Sequence, residues 1–187
     1  MANTENTKAE EELVRRLQTP QTCRDAFSEV MRRYAEPIYH QIRRLVQNHD
    51  DADDLLQNTF MKAWQNLEYF RGDARLSTWL YKIAVNESLS FLARERKRYT
   101  MSLDDQESAL ANMIEADSYF DGEEADKLLR KAILTLPEKQ RIVFNMKYFD
   151  EMKYEEISEI LGTSVGALKA SYHLAVKKIE KYVEDNR

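Results

Sequence analysis

Apolar residues along this chain recur every three or four positions rather than every two, the period of an amphipathic α-helix and not of a half-buried strand. Residues 24–46, RDAFSEVMRRYAEPIYHQIRRLV, hold that period throughout. They predict one long helix or two segments bent at Pro37, since proline lacks a backbone donor and clashes with the preceding turn. A helix beginning at Asp51 sends Ala52, Leu55, Leu56, Thr59, Phe60, Ala63 and Leu67 to one side, and Asp54, Gln57, Asn58, Met61 and Gln65 to the other. After Gly72 a third helix is expected, with Ser77 as N-cap, a core stripe of Leu80, Ile83, Ala84 and Phe91, and a basic end, RERKR, suited to a helix C-terminus. Glu87 and Leu89 fit neither face of that helix.

Farther along, EEADKLLRKAILTL stops before Pro137, and PEKQRIVFNMKYF starts with that proline in its first turn. Residues 154–179, YEEISEILGTSVGALKASYHLAVKKI, read as two helices: Gly162 ends the first in the left-handed conformation and Ser164 caps the second. Val165, Leu168, Tyr172, Ala175, Val176 and Ile179 are the expected core positions of the second, a helix-turn-helix layout. The fold class expected is therefore all-α: two small helical domains joined by an acidic linker, the second containing a helix-turn-helix. The boundaries expected are 1–21 for a polar extension and first helix, 22–98 for the first domain, 99–121 for the linker and 122–187 for the second domain.

Composition agrees with this pattern. Of 187 residues 43% are hydrophobic, enough to build cores, and only four glycines and three prolines interrupt helices. The N-terminus is polar, without the apolar segment of a signal peptide, and no later apolar run reaches membrane-spanning length. A soluble, cytoplasmic protein with no membrane insertion is expected. The single cysteine, Cys23, excludes an internal disulfide and a cysteine-rich zinc site, and reads as a small half-buried apolar residue.

A net charge of −5 argues against nucleic acid only if charge is evenly spread, and it is not. From Arg71 to Arg98 there are seven basic and three acidic residues; from Tyr99 to Asp126 there are nine acids and no lysine or arginine.

Three faces could carry chemistry. On the helix from Asp51, an exposed methionine among short polar residues is either a protein-contacting face or an ordinary solvated one. The run DDADD is better read as a helix start than as a metal site, because consecutive acids on a helix point in different directions. In the next helix Trp79, Lys82 and Asn86 share a side: an indole to stack on a base, an ammonium for a phosphate and an amide for a base edge. Arg94, Arg96 and Lys97 beyond them would meet the DNA backbone. The third face is the helix-turn-helix. No nucleophile–base pair, phosphate loop or metal cluster is present in the sequence, so neither an enzyme nor a metal or cofactor is expected.

These three faces, in this order, resemble the extracytoplasmic-function (ECF) group of bacterial RNA polymerase sigma factors. DDADDLLQNTFMKAW resembles the family's polymerase-binding helix, FRGDARLSTWLYKIAVNESLSFLARERKR its minus-ten region, and the segment from LTLPEKQ to LAVKKI its minus-35 domain. The resemblance implies a specificity subunit that binds core RNA polymerase, recognises minus-35 and minus-ten promoter elements and promotes melting, with an anti-sigma factor as a further partner. It places core binding at Asp54, Gln57, Phe60 and Met61, and the grip on a flipped minus-ten base at Trp79, Lys82 and Asn86. The family's reading helix commonly has arginines where Ser171 and Leu174 stand, so either Lys169, Ser171 and His173, with Ser164 at the helix start, do the reading, or the domain leans on phosphate contacts and groove shape. The 23 residues of 99–121 would reach about 75 Å fully extended but average about 27 Å as a coil. The resemblance implies two promoter elements about 60 Å apart, so the linker would be nearly stretched. The alternative is a helix-turn-helix regulator acting on duplex DNA without polymerase, which leaves the first two faces idle.

Overall fold

The computed structural model describes residues 2–72, 74–100 and 124–186. Its helices are α1 (Ala2–Leu17), α2 (Cys23–Val46), α3 (His49–Gln65), a 3-10 turn (Leu67–Tyr69), α4 (Leu76–Thr100), α5 (Glu124–Leu134), α6 (Glu138–Tyr148), α7 (Tyr154–Leu161) and α8 (Val165–Asp185). No strand occurs among the described residues, and no described helix is long and apolar enough to cross a membrane. The expected linker, apart from its first two residues, lies outside the described residues.

Helix α2 runs unbroken through Pro37. The proline is exposed, while Tyr34, Ile38, Gln41 and Ile42 on the other side are buried, so packing carries the helix across the missing backbone donor. Helix α3 begins at His49, two residues before the expected Asp51, because the Asn48 side chain accepts from the Asp51 N–H at 3.0 Å and so sets the cap earlier.

The start of α4 corrects the sequence expectation. Ser77 is not its cap but lies inside the helix; the Leu76 N–H instead donates to Glu10 Oε1 of α1 at 3.0 Å. A carboxylate from a distant helix does the work of a local hydroxyl, and its negative charge suits a helix N-terminus. From there Leu76, Leu80, Ala84 and Val85 are buried, as is Ser88, whose hydroxyl donates to the Ala84 carbonyl at 2.8 Å.

In the second half Pro137 occupies the N-cap of α6 rather than a helical position. Gly162 adopts the left-handed conformation at φ 62°, and the Ser164 side chain accepts from the Ala167 N–H at 3.4 Å, both as the sequence predicts. Leu168, Ala175 and Ile179 are buried, and Val165, Tyr172 and Val176 half-buried.

Helices α1 to α4 pack together, as do α5 to α8, but the two groups are not separate: α4 packs against α7, and α2 against α6. One continuous cluster joins the α2–α4 core to Ile142, Val143, Met146, Met152, Ile157, Ile160 and Leu168. A smaller one, with Ala132, Ile133, Leu136, Phe144, Ala175 and Ile179, belongs to α5, α6 and α8. Ion pairs bridge the groups, among them Arg44–Asp150, Arg96–Glu138, and Arg75–Glu156 at 3.3 Å.

Asp150, in the turn between α6 and α7, is the most buried of these charges; burial pushes its carboxyl up to about 6, against the pull of Arg44. Arg44 from α2 and Tyr81 from α4 are the ionisable groups that face it, and burial first and Asp150 second push the Tyr81 phenol up to about 12.

Two consequences can be measured. Glu10→Ala should lower stability in urea unfolding by about 1 kcal/mol, the usual value of a side-chain cap, and Glu10→Gln, which keeps an acceptor, by less. A carboxyl whose pKa is raised on docking takes up a proton when the groups dock, so its contribution is complete below the exposed-carboxyl value and lost as pH rises through about 6. Contact between the two groups should therefore strengthen from pH 7.5 to 5, followed by NMR shifts of α7. That strengthening should shrink in Asp150→Asn.

Candidate nucleic-acid interface

On α3, Asp54, Gln57 and Met61 are exposed, Met61 by 57%, whereas Phe60 is buried with its ring edge-on to Phe27 at 6.4 Å. Phe60 is thus a core residue that supports the face rather than part of it. Trp64, 43% exposed and packed on Phe27 at 5.0 Å, extends the same region, and Met31 is exposed one turn beyond Phe27 on α2. The sequence signal for them was present in the spacings Met61–Trp64 and Phe27–Met31, which put each pair on one helix side.

Where α3, the 3-10 turn and α4 converge lies a cavity of about 310 Å³, lined by Lys62, Asn66, Tyr69, Trp79, Ile83, Asn86 and Glu87. Trp79 packs on Phe70 at 4.8 Å, fixing the indole, while Tyr69 stands 72% exposed at the mouth. Lys62 Nζ donates to Glu87 Oε1 at 2.5 Å across the rim, and the Asn66 amide is held by the Lys62 carbonyl at 2.8 Å. The site thus offers aromatic faces, amides and one fixed cation–carboxylate pair, which together suit a planar heterocycle with hydrogen-bonding edges.

The structure brings Trp79 and Asn86 together here, but Lys82 is exposed outside the cavity. Lys62, Asn66, Tyr69 and Glu87 were missed, since each joins the site through the packing of α3 on α4. The one signal in the sequence was Glu87, one of the two residues that fitted neither face of its helix. Arg94, Arg96 and Lys97 are exposed farther along α4, with Arg96 engaged by Glu138.

On α8, Lys169 and His173 are exposed one turn apart. The Lys169 ammonium lies 5.7 Å from the centre of the Tyr154 ring, which fixes its direction. Ser171, two positions on, points about 160° away from Lys169 and is half-buried, so the four expected readers do not form one face. Ser164 is occupied as the cap. Leu174, 48% exposed, and Lys177 lie on the outward side with His173.

Two family models match the chain, Sigma-70 region 2 over residues 30–98 and Sigma-70 region 4 over residues 126–179. The chain is 30% identical over 169 residues to the ECF RNA polymerase sigma factor SigW of Bacillus subtilis, covering 86% of this chain and 90% of the relative. It is 30% identical over 167 residues to the ECF RNA polymerase sigma-E factor of Salmonella typhimurium, covering 85% and 87%. Among solved structures its fold is similar to CnrH, solved with the cytosolic domain of CnrY (TM-score 0.69, 21% identity, 96% and 99% covered). It is also similar to RpoE of Bartonella quintana, solved with the anti-sigma factor NepR (TM-score 0.64, 22% identity, 86% and 98% covered). With region 2 carried on α2 to α4, region 4 on α5 to α8 and ECF relatives aligned along most of its length, the chain belongs to the ECF family of RNA polymerase sigma factors.

Proposed function

We propose that this sigma factor divides its tasks among the three surfaces, with residues 22–98 and 122–187 as its working domains and 99–121 as the spacer. Asp54, Gln57 and Met61, extended by Trp64 and Met31, dock on core RNA polymerase. The cavity between α3 and α4 receives a minus-ten base flipped out of the duplex: Tyr69 and Trp79 supply aromatic surface, Asn86 and the Lys62–Glu87 pair supply polar contacts, and Lys82, Arg94, Arg96 and Lys97 meet phosphates. On α8, Lys169 and His173, joined by Lys177, approach the minus-35 element. The chain performs no chemistry of its own; synthesis belongs to the polymerase, in the cytoplasm. An anti-sigma factor is the proposed negative partner.

The single observation that supports this reading most is the cavity, because its aromatic, amide and charged lining comes from three different elements that meet beside a row of cations. Unpairing a base costs a few kcal/mol, and each base–aromatic stack recovers about 1–3 kcal/mol.

Reconstituted holoenzyme on a cognate promoter provides the tests. Tyr69→Ala or Asn86→Ala should lower open-complex formation about tenfold, the equivalent of about 1.4 kcal/mol, with the affinity for core polymerase unchanged. Open complexes formed at the normal rate by both variants would place base capture elsewhere. Lys169→Ala should weaken minus-35 binding and reduce the slope of log affinity against log salt by about 1. Met61→Glu should weaken polymerase binding while leaving the melting profile of the free protein near that of the unaltered chain.

A further inference from the structure

One face of α1 carries Glu10, Leu13, Val14 and Leu17, spaced i, i+3, i+4 and i+7, while Glu11, Glu12 and Arg15 are exposed on the other side. Leu13 and Leu17 are buried, at 1% and 3% exposure, which accounts for an apolar stripe but not for the half-buried glutamate at its head. That carboxylate is committed to another helix: Glu10 Oε1 accepts from the Leu76 N–H at the start of α4 at 3.0 Å. Burial first and the Glu10 carboxylate second push the Tyr34 phenol up, so the carboxylate also lies beside α2. One turn along α1, Val14 packs on the backbone of Gly72, which adopts a φ of 80°; a Cβ there would stand 3.5 Å from Val14 Cγ1.

These two contacts bracket the entry into α4. Tyr69 stands three residues before Gly72, and Trp79 three residues after Leu76. Leu76 opens the first turn of α4, which closes with the Trp79 N–H donating to the Arg75 carbonyl at 3.1 Å. The indole then lies at 4.8 Å from Phe70, itself 6% exposed. A first helical turn frays unless its free N–H groups find acceptors, and a carboxylate is a strong acceptor at that end of a helix. Fraying of this turn would release the indole from its place in the cavity wall, although Glu10 lines none of the cavity itself.

We propose that α1 is a positioning element of the base pocket: Glu10 fixes the first turn of α4 and Val14 the backbone at Gly72, so that Tyr69 and Trp79 are already in place when a flipped base arrives. This role rests on the base-capture function proposed above. A site held in its binding geometry beforehand loses less conformational entropy when it is filled. Glu10 acts through Leu76 and the turn that follows, not by touching DNA. Loosening its hold therefore slows capture of the base while the polymerase-docking residues of α3 keep their places.

Two readouts test the role in the full-length chain. Of the two tryptophans, Trp64→Phe leaves only Trp79, whose fluorescence reports the pocket wall in the free protein. In that background Glu10→Ala should raise acrylamide quenching of the indole, and Glu10→Gln, which keeps an acceptor, should restore it. Glu29→Ala serves as the control: it removes the Arg16–Glu29 pair at 2.7 Å, another tie between α1 and α2, and should leave the quenching unchanged. In holoenzyme with Trp64 intact, Glu10→Ala should slow open-complex formation about threefold, a little less than the loss of a cap would give if wholly transmitted, with unchanged affinity for core polymerase. Combined with Tyr69→Ala, its effect should be smaller than the product of the two single effects, because both act on one site. An unchanged indole signal in Glu10→Ala, an equal loss in Glu29→Ala, or effects that simply multiply would overturn the positioning role. Normal opening by Glu10→Ala beside defective Tyr69→Ala and Asn86→Ala would overturn it while leaving base capture standing. Normal opening by all three would strike base capture and, with it, the functional role of α1.

Discussion

Everything that positions a functional side chain in this molecule depends on the burial of α4. Leu76, Leu80, Ala84, Val85 and Ser88 are at or below 1% exposure, and the helix packs on α2 and α3 and also on α7. With about 100° between successive residues, fixing that stripe fixes every other direction on the helix. Trp79, Ile83, Asn86 and Glu87 are thereby turned toward the end of α3, and Arg94, Arg96 and Lys97 are carried outward. Large-to-small changes in such a stripe typically cost about 2–5 kcal/mol, so the site and the fold are not separable here.

Local signals were legible in the sequence and nonlocal ones were not. Helix type followed from period, and Gly162 and Ser164 followed from chemistry confined to one turn, so the helix-turn-helix could be placed without any tertiary knowledge. Ser77 misled because its competitor for the α4 start, Glu10, lies 66 residues away. The cavity was half-read for the same reason: Trp79 and Asn86 lie on one helix, but Lys62, Asn66 and Tyr69 come from the preceding elements. For Phe60 helix phase alone sufficed: the period put it on the side of Ala52 and Leu55, and there it is buried with its ring against that of Phe27. Helix α8 was the least legible part, since Lys169 and Ser171 are close in sequence but turn to opposite flanks.

Charge in this chain is shared between alternatives. The positive residues of region 2 made an acidic protein credible as a DNA binder, yet in the packed molecule Arg75 and Arg96 face Glu156 and Glu138 of the other half. These outer pairs are largely exposed on the arginine side and contribute little to stability. They are cations available to another anion at small energetic expense, and a phosphate is a stronger partner than a solvated carboxylate.

The apolar part of the contact leads to a constraint on any partner that separates the halves. Region 4 has a small core of its own, supplemented by the rings of Phe144, Tyr148 and Tyr172, stacked with centroid separations of 5.1 Å and 5.8 Å. A domain of about 60 residues buries proportionally little surface and is marginal alone. Its remaining apolar residues, among them Ile142, Met146 and Met152, belong to the cluster shared with region 2. Separation exposes apolar surface on both halves, and surface of that kind is not left uncovered in a stable soluble state. A partner that merely attracts the exposed cations of α4 and α8 therefore cannot hold the chain open. It must also cover the surface that α2, α4, α6 and α7 now cover for one another, which is a requirement on protein contacts rather than on DNA.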